Sequence, residues 1–181
     1  TLFSPLTLRE TTLPNRVMVS PMCQYSSPEG KATDWHLVHL GSRAVGGAGV
    51  VLTEATAVEP RGRISPDDLG IWTDEQAESL ERIASFVSEQ GSVPGIQLAH
   101  AGRKASTARP WNGHGPVSPD ERGWEAVGPT EEPYPRDGDE HPTRKLSTGE
   151  VEEVATSFVE AAERARDAGF EIAEVHAAHG Y

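Results

Sequence analysis

An α/β fold built on a parallel sheet is predicted from three features of the sequence. Short runs rich in β-branched residues alternate with amphipathic stretches of helical period from Val17 to His176. Glycine follows each helical stretch, at Gly46, Gly91 and Gly169. Distinctive side chains gather where strands end: Cys23 and Tyr25 after the first, Gln97 at the third, His176 and His179 at the fourth. In a barrel those ends converge on one mouth, and no Gly-x-Gly-x-x-Gly turn follows any strand to favour a doubly wound dinucleotide fold.

Leu6 to Leu13 alternates around Arg9-Glu10 and predicts a hairpin covering one end of the sheet. Val17 to Ser20 is the first strand, stopped by Pro21, and Met22 to Ser26 is the loop after it. Asp34 serves as N-cap of a helix reaching Val45, with Leu37, Leu40 and Ala44 on one side. The glycines from Gly46 to Gly49 precede a strand and lack a following Gly-Lys-Ser/Thr, so they read as a helix stop and not a phosphate loop. Val50 to Thr53 is the second strand, leading through Glu54, Ala55 and Thr56 into a polar loop with Arg61, Gly62 and Arg63. Thr73 and Gln76 form a capping box before Leu80, Ile83, Ala84 and Val87. Val93 to Leu98 is the third strand.

Ala99 to Ser147 then holds half of the 14 prolines without clear periodicity. Such a stretch is a functional lid or disorder, and Trp111, Trp124 and Tyr134 argue for partial order. Ser147 and Glu150 make a further capping box, and Val151, Val154, Ala155, Phe158, Ala162 and Ala165 define the apolar face of the third helix. Phe170 to His176 reads as a buried fourth strand.

A length of 181 residues with 36% hydrophobic and 24% charged residues fits one globular domain. A net charge of −12 argues against a nucleic-acid partner, no apolar run reaches membrane-spanning length, and the single Cys23 forms no internal disulfide. Thr1 to Pro5 lacks the basic start and long apolar centre of a secretory signal, so the expected location is cytoplasmic. His176 and His179, three residues apart, would share one side of a helical turn; the plain reading is one packed ring and one exposed ring, and the sharp one is a metal site. Catalytic zinc wants three protein ligands, and this stretch carries no third, so the expectation is no metal. His36 and His39, at helical spacing, read as packing or capping groups.

Several motifs in order resemble the N-terminal half of the old yellow enzyme family, FMN-dependent ene-reductases with a (βα)8 TIM barrel. They are Leu2-Phe3-Ser4-Pro5-Leu6, Pro14-Asn15-Arg16, Ser20-Pro21-Met22-Cys23-Gln24-Tyr25, Gln97 to Lys104, and His176-Ala177-Ala178-His179-Gly180-Tyr181. Cys23 after Met22, with Tyr25 two positions on, resembles the cysteine-containing, thermophilic-like branch. By that resemblance residues 1–181 are the first part of one FMN-binding barrel domain, and the chain is expected to be a piece of a longer, homo-oligomeric enzyme.

The resemblance implies roles for single residues. Ser20, Pro21, Met22 and Cys23 line the flavin, with Cys23 tuning its potential; Ala55 touches it through the backbone, and Gln97 bonds its pyrimidine edge. His176 and His179 bind the carbonyl oxygen of an enone, Tyr181 protonates its α-carbon, and Tyr25 contacts the substrate. NADPH or NADH is the implied reductant. Taken on this chain alone, Cys23 reads as a small buried hydrophobe, Gln97 as a satisfied polar residue and Tyr25 as a loop tyrosine. Lys104 and Arg103 are a solvated pair or cations that hold an anionic flavin or substrate. A metal-dependent barrel hydrolase using His176 and His179, and a non-catalytic half-barrel module, are the alternative classes.

Overall fold

β1 (Leu6–Leu8) and β2 (Thr11–Leu13) form the antiparallel hairpin that the alternation predicts, pairing Leu6 with Leu13. In this computed structural model residues 1–113, 115–135 and 142–181 are described. Buried Leu13 packs on Val50, Leu52 and Val93, so the hairpin closes the amino-terminal end of the main sheet.

That sheet has four parallel strands in the order β3 (Met18–Val19), β4 (Val50–Ala57), β5 (Val93–Ala99), β8 (Ile172–Val175). Three helices cover its outer face: α1 (Asp34–Val45), α2 (Asp74–Glu89) and α3 (Thr148–Asp167). Leu40 and Ala44 of α1, Leu80, Ile83 and Val87 of α2, and Ala161 and Ala165 of α3 meet Val51, Ile96 and Leu98 of the sheet in one cluster. Each large side chain fully buried there contributes about 1.5–3 kcal/mol through removal from water. Gly95 is needed where β5 crosses β4, because a Cβ there would stand 2.3 Å from Cδ2 of Leu52.

β4 runs past the predicted stop at Thr53 and carries a register shift between Leu52 and Ala55. Val50 and Leu52 face the hairpin side, and beyond the irregularity Ala55 and Ala57 keep to that inner face. Glu54 turns the other way, to His36 of α1. One extra residue thus re-aims the strand's side chains, a common use of a bulge near a site.

The three helix starts show what the sequence carries well. The predicted Thr73/Gln76 and Ser147/Glu150 boxes are present. For α1 the cap is Thr33, one residue earlier than expected, because the third helical residue is His36 and its Nδ1 accepts the Thr33 N–H at 3.0 Å. Two expectations need correction. Val151 and Ala155 of α3 are exposed, and Ala161 is buried in their place; the first turns of α3 have no close neighbour on that side among the described residues. The fourth strand alternates half-buried with exposed residues, because β8 lies at the sheet edge.

In the long segment after β5, residues 114 and 136–141 lie outside the described residues. The rest folds into short 3-10 turns at Gly102–Lys104, Pro110–Asn112 and Pro119–Glu121, and into a parallel pair, β6 (Ala126–Gly128) with β7 (Thr143–Lys145). Ala101, Ala105 and Ala126 pack with Ile64 and Trp124. Among the described residues no helix is long and apolar enough to cross a membrane.

Candidate functional site

A cleft of about 440 Å³ opens at the carboxyl ends of β4, β5 and β8, where βα loops of a parallel sheet meet. Ala55 and Gln97 are register partners, as are Gln97 and Glu174, so one row crosses three strands. Two residues on, Ala57, Ala99 and His176 repeat it at the rim. Small side chains leave the space; polar ones line its side.

Pro21 and Cys23, on the loop after β3, form part of the wall, whereas Ser20 is exposed and Met22 points outward at 47% exposure. Glu54 holds this loop from within: Oε2 accepts the Gln24 N–H at 2.8 Å, while Oε1 lies 3.1 Å from Nε2 of His36, itself 3.1 Å from Ser27 Oγ. Burial pushes the Cys23 thiol up to about 12, with Asp68 and Glu54 adding to the rise and the N–H groups of Ala55 and Cys23 opposing it. Cys23 is therefore a neutral thiol, not a nucleophilic thiolate. Tyr25 sits at φ +52 with its ring edge-on to Trp111 at 5.6 Å. Burial, then Cys23, Asp68 and Tyr181, raises its phenol as well.

The opposite wall is the segment after β8. His176 N–H donates to the Leu98 carbonyl at 2.9 Å, which ends the strand, and His179 takes φ +60 to turn the chain back. The His176 ring lies 5.2 Å from that of His179 and 5.1 Å from that of Tyr181. Desolvation, then His179, lowers the His176 pKa, so at neutral pH this imidazole is uncharged and donates through one N–H. Lys104 Nζ donates to the His179 carbonyl at 2.7 Å and lies 4.2 Å from the Tyr181 ring centroid and 4.4 Å from that of Tyr134. Lys104 is thus a clasp between the long segment and the histidine turn at the edge of the site, and not a freely solvated cation.

Four groups that sequence reasoning did not single out stand at or behind the cleft. Asp68 lines it; burial pushes its carboxyl up to about 7 against the favouring Ser65 hydroxyl, and Glu54 adds to the rise. Arg63 also lines it, held between Trp72 and Trp124 at 5.3 and 4.8 Å. Glu54 is the third and Glu174 the fourth. Only Glu174 left a signal in the sequence, since it shares strand parity with His176.

The residues present fit a flat, hydrogen-bonding cofactor. Gln97 is 7% exposed, and among the described residues no donor reaches its Oε1. A buried acceptor without a partner, beside a floor of alanines, suits an aromatic ring system with an N–H on its edge. No three His, Cys, Asp or Glu side chains among the described residues are grouped as a metal would need.

Fold and site together define a parallel half-barrel with a ligand cleft at the carboxyl ends of its strands. The model of the NADH:flavin oxidoreductase / NADH oxidase family matches residues 1–181. The chain belongs to that family, the old yellow enzyme family, whose cofactors are FMN and NAD(P)H. It is 46% identical over 183 residues to an NADH:flavin oxidoreductase of Gibberella zeae, covering 99% of this chain and 44% of the relative. To the NADPH dehydrogenase of Bacillus subtilis it is 44% identical over 182 residues, covering 99% and 49%. Among solved structures, morphinone reductase matches with a TM-score of 0.82 at 30% identity, covering 99% of this chain and 48% of that one. The old yellow enzyme homologue from Zymomonas mobilis matches at 0.81 and 27%, covering 100% and 49%. The chain spans about half the length of the curated relatives it matches.

Proposed function

We propose that residues 1–181 are the N-terminal part of one FMN-binding barrel domain. In this reading the whole protein, a homo-oligomer, reduces the activated C=C bond of α,β-unsaturated carbonyl compounds with NAD(P)H by a ping-pong mechanism. The observation that carries the proposal is the His176, His179 and Tyr181 ring cluster facing the Ala55 and Gln97 row across one cleft. The resemblance of the motifs assigns the chemistry; the geometry is compatible with it.

FMN, when bound, supplies a hydride carrier between the nicotinamide and the β-carbon of the alkene. Gln97, Ala55, Pro21 and Cys23 line the cleft and would hold that ring, together with Ser20 and Met22 of the same loop. His176 and His179 donate to the substrate carbonyl oxygen, where negative charge builds as hydride arrives. Each preorganised donor aimed at developing charge is worth about 3 kcal/mol in comparable sites. The Tyr181 hydroxyl then delivers a proton to the α-carbon, completing addition of one hydride and one proton across the double bond. Tyr25 bounds the substrate from the first loop. Its raised pKa keeps the phenol neutral, so it acts as a hydrogen-bonding group and not as a base.

Absorbance spectroscopy under anaerobic conditions tests the reading. Purified protein is expected to be yellow, to bleach with NADPH, and to recover its colour when cyclohexenone is added. Colourless protein that retains zinc would instead support the hydrolase class.

A further inference from the structure

Gln97 stands between unlike neighbours. On the β4 side its register partner is Ala55, a methyl group; on the β8 side it is Glu174. The Gln97 side-chain nitrogen donates to Oε1 of Glu174. A carboxylate only accepts, so this partner determines which end of the amide faces it. The reversed amide would set two acceptors against each other in a partly buried place, which is repulsive as well as a lost hydrogen bond. Among the described residues the Gln97 side-chain nitrogen has no other hydrogen-bond acceptor; Thr53 Oγ1 on β4 accepts the Gln97 backbone N–H at 3.3 Å instead. Both Gln97 and Glu174 line the cleft.

We propose that Glu174 is a positioning residue: it orients the Gln97 amide so that the carbonyl oxygen faces the cleft and selects a ligand edge bearing an imide N–H. The inference rests on the flavin reading of the cleft and adds to it the reason the site takes the imide edge. It has a second consequence. A carboxylate beside that edge opposes the negative charge the ring gains on reduction, so Glu174 holds the potential of the bound cofactor down. Glu174 touches neither substrate nor reacting atoms in this scheme and acts through Gln97.

The test uses the flavin-loaded protein and two variants, Glu174→Ala and Glu174→Gln, with FMN and 3-methyl-FMN, in which the imide N–H is blocked. Wild-type protein is expected to prefer FMN by about tenfold or more, the scale of one unsatisfied buried acceptor. Glu174→Ala is expected to weaken FMN by about tenfold and to lose the preference. Glu174→Gln still accepts from Gln97, so it should keep affinity and preference while its midpoint potential rises. Unchanged affinity and unchanged preference in Glu174→Ala would overturn the assignment, as would an unmoved potential in Glu174→Gln should the alanine variant fail to fold. Wild-type protein that takes up no FMN overturns the flavin reading and this inference together; normal FMN uptake with unaltered variants overturns this inference alone.

Discussion

The two walls of the cleft are held in place by different means. Ala55 and Gln97 stand mid-sheet, on strands paired on both sides and covered by the α1, α2 and α3 cluster. His176, His179 and Tyr181 follow the edge strand, where Val175 is 61% exposed, and are held by ring contacts and the Lys104 clasp. A fixed wall suits a resident planar cofactor, because its groups need no adjustment between turnovers. An adjustable wall suits a substrate that must enter and leave. Backbone at positive φ occurs at Tyr25 and His179, on the loops beside the cleft and not on the central strands.

Tyr181→Phe should sharpen this division most. Reoxidation of reduced protein by cyclohexenone is expected to slow by about 10²–10⁴, the span of a lost general acid, while reduction by NADPH is unchanged. Equal loss in both half-reactions, followed by stopped-flow absorbance, would break the assignment of one wall to substrate. Packing should show the same asymmetry. Ile96→Ala, at a fully buried position, is expected to lose about 3 kcal/mol in urea unfolding, and Val175→Ala less than about 1 kcal/mol.

Asp68, beside the fixed wall, gives a pH test. Its folded carboxyl keeps a proton up to about 7, against an ordinary value of 3.8, so its favourable contribution is complete below 3.8 and is lost as pH rises through 7. Asp68→Asn removes that loss. Thermal melting should find the variant more stable than the parent above pH 7, with the gap closing as pH falls toward 4; a gap that widens in acid would contradict the buried, neutral form. The smallest effect belongs to the edge: Ser147→Ala removes the cap of α3 and is expected to cost about 1 kcal/mol of stability with FMN uptake unchanged.

Local chemistry made much of this readable in advance. Capping boxes at Thr73 and Ser147, glycine stops and β-branched runs are decided by neighbours a few residues away, and the sequence carries them directly. The exposure of Val151 and Ala155 was not readable, because helical period says which residues share a side and not whether anything packs on it. Asp68 and Glu54 escaped for a related reason. Charged residues are read as surface unless their partners are known, and the partners of Glu54, the Gln24 N–H and His36, come from two other elements. Cys23, Ala55, Gln97 and the two histidines drew their proposed roles from the family pattern, since each is unremarkable by itself.

The irregularity in β4 has a consequence for how this strand tolerates change. A single strand speaks to two audiences, alanines toward the cleft and a carboxylate toward the helix layer, and the one residue of surplus length lies between Leu52 and Ala55. Removing one residue between Leu52 and Ala55 would restore plain alternation. Deleting Thr53 in this way leaves Leu52 and Ala55 on the inner face and Glu54 on the outer one, whereas a deletion at Thr56, beyond the irregularity, would turn Ala57 away from the cleft. A change of length should therefore be forgiven more readily at Thr53, where the strand already carries a surplus residue, than at Thr56, where every side chain beyond it would change faces.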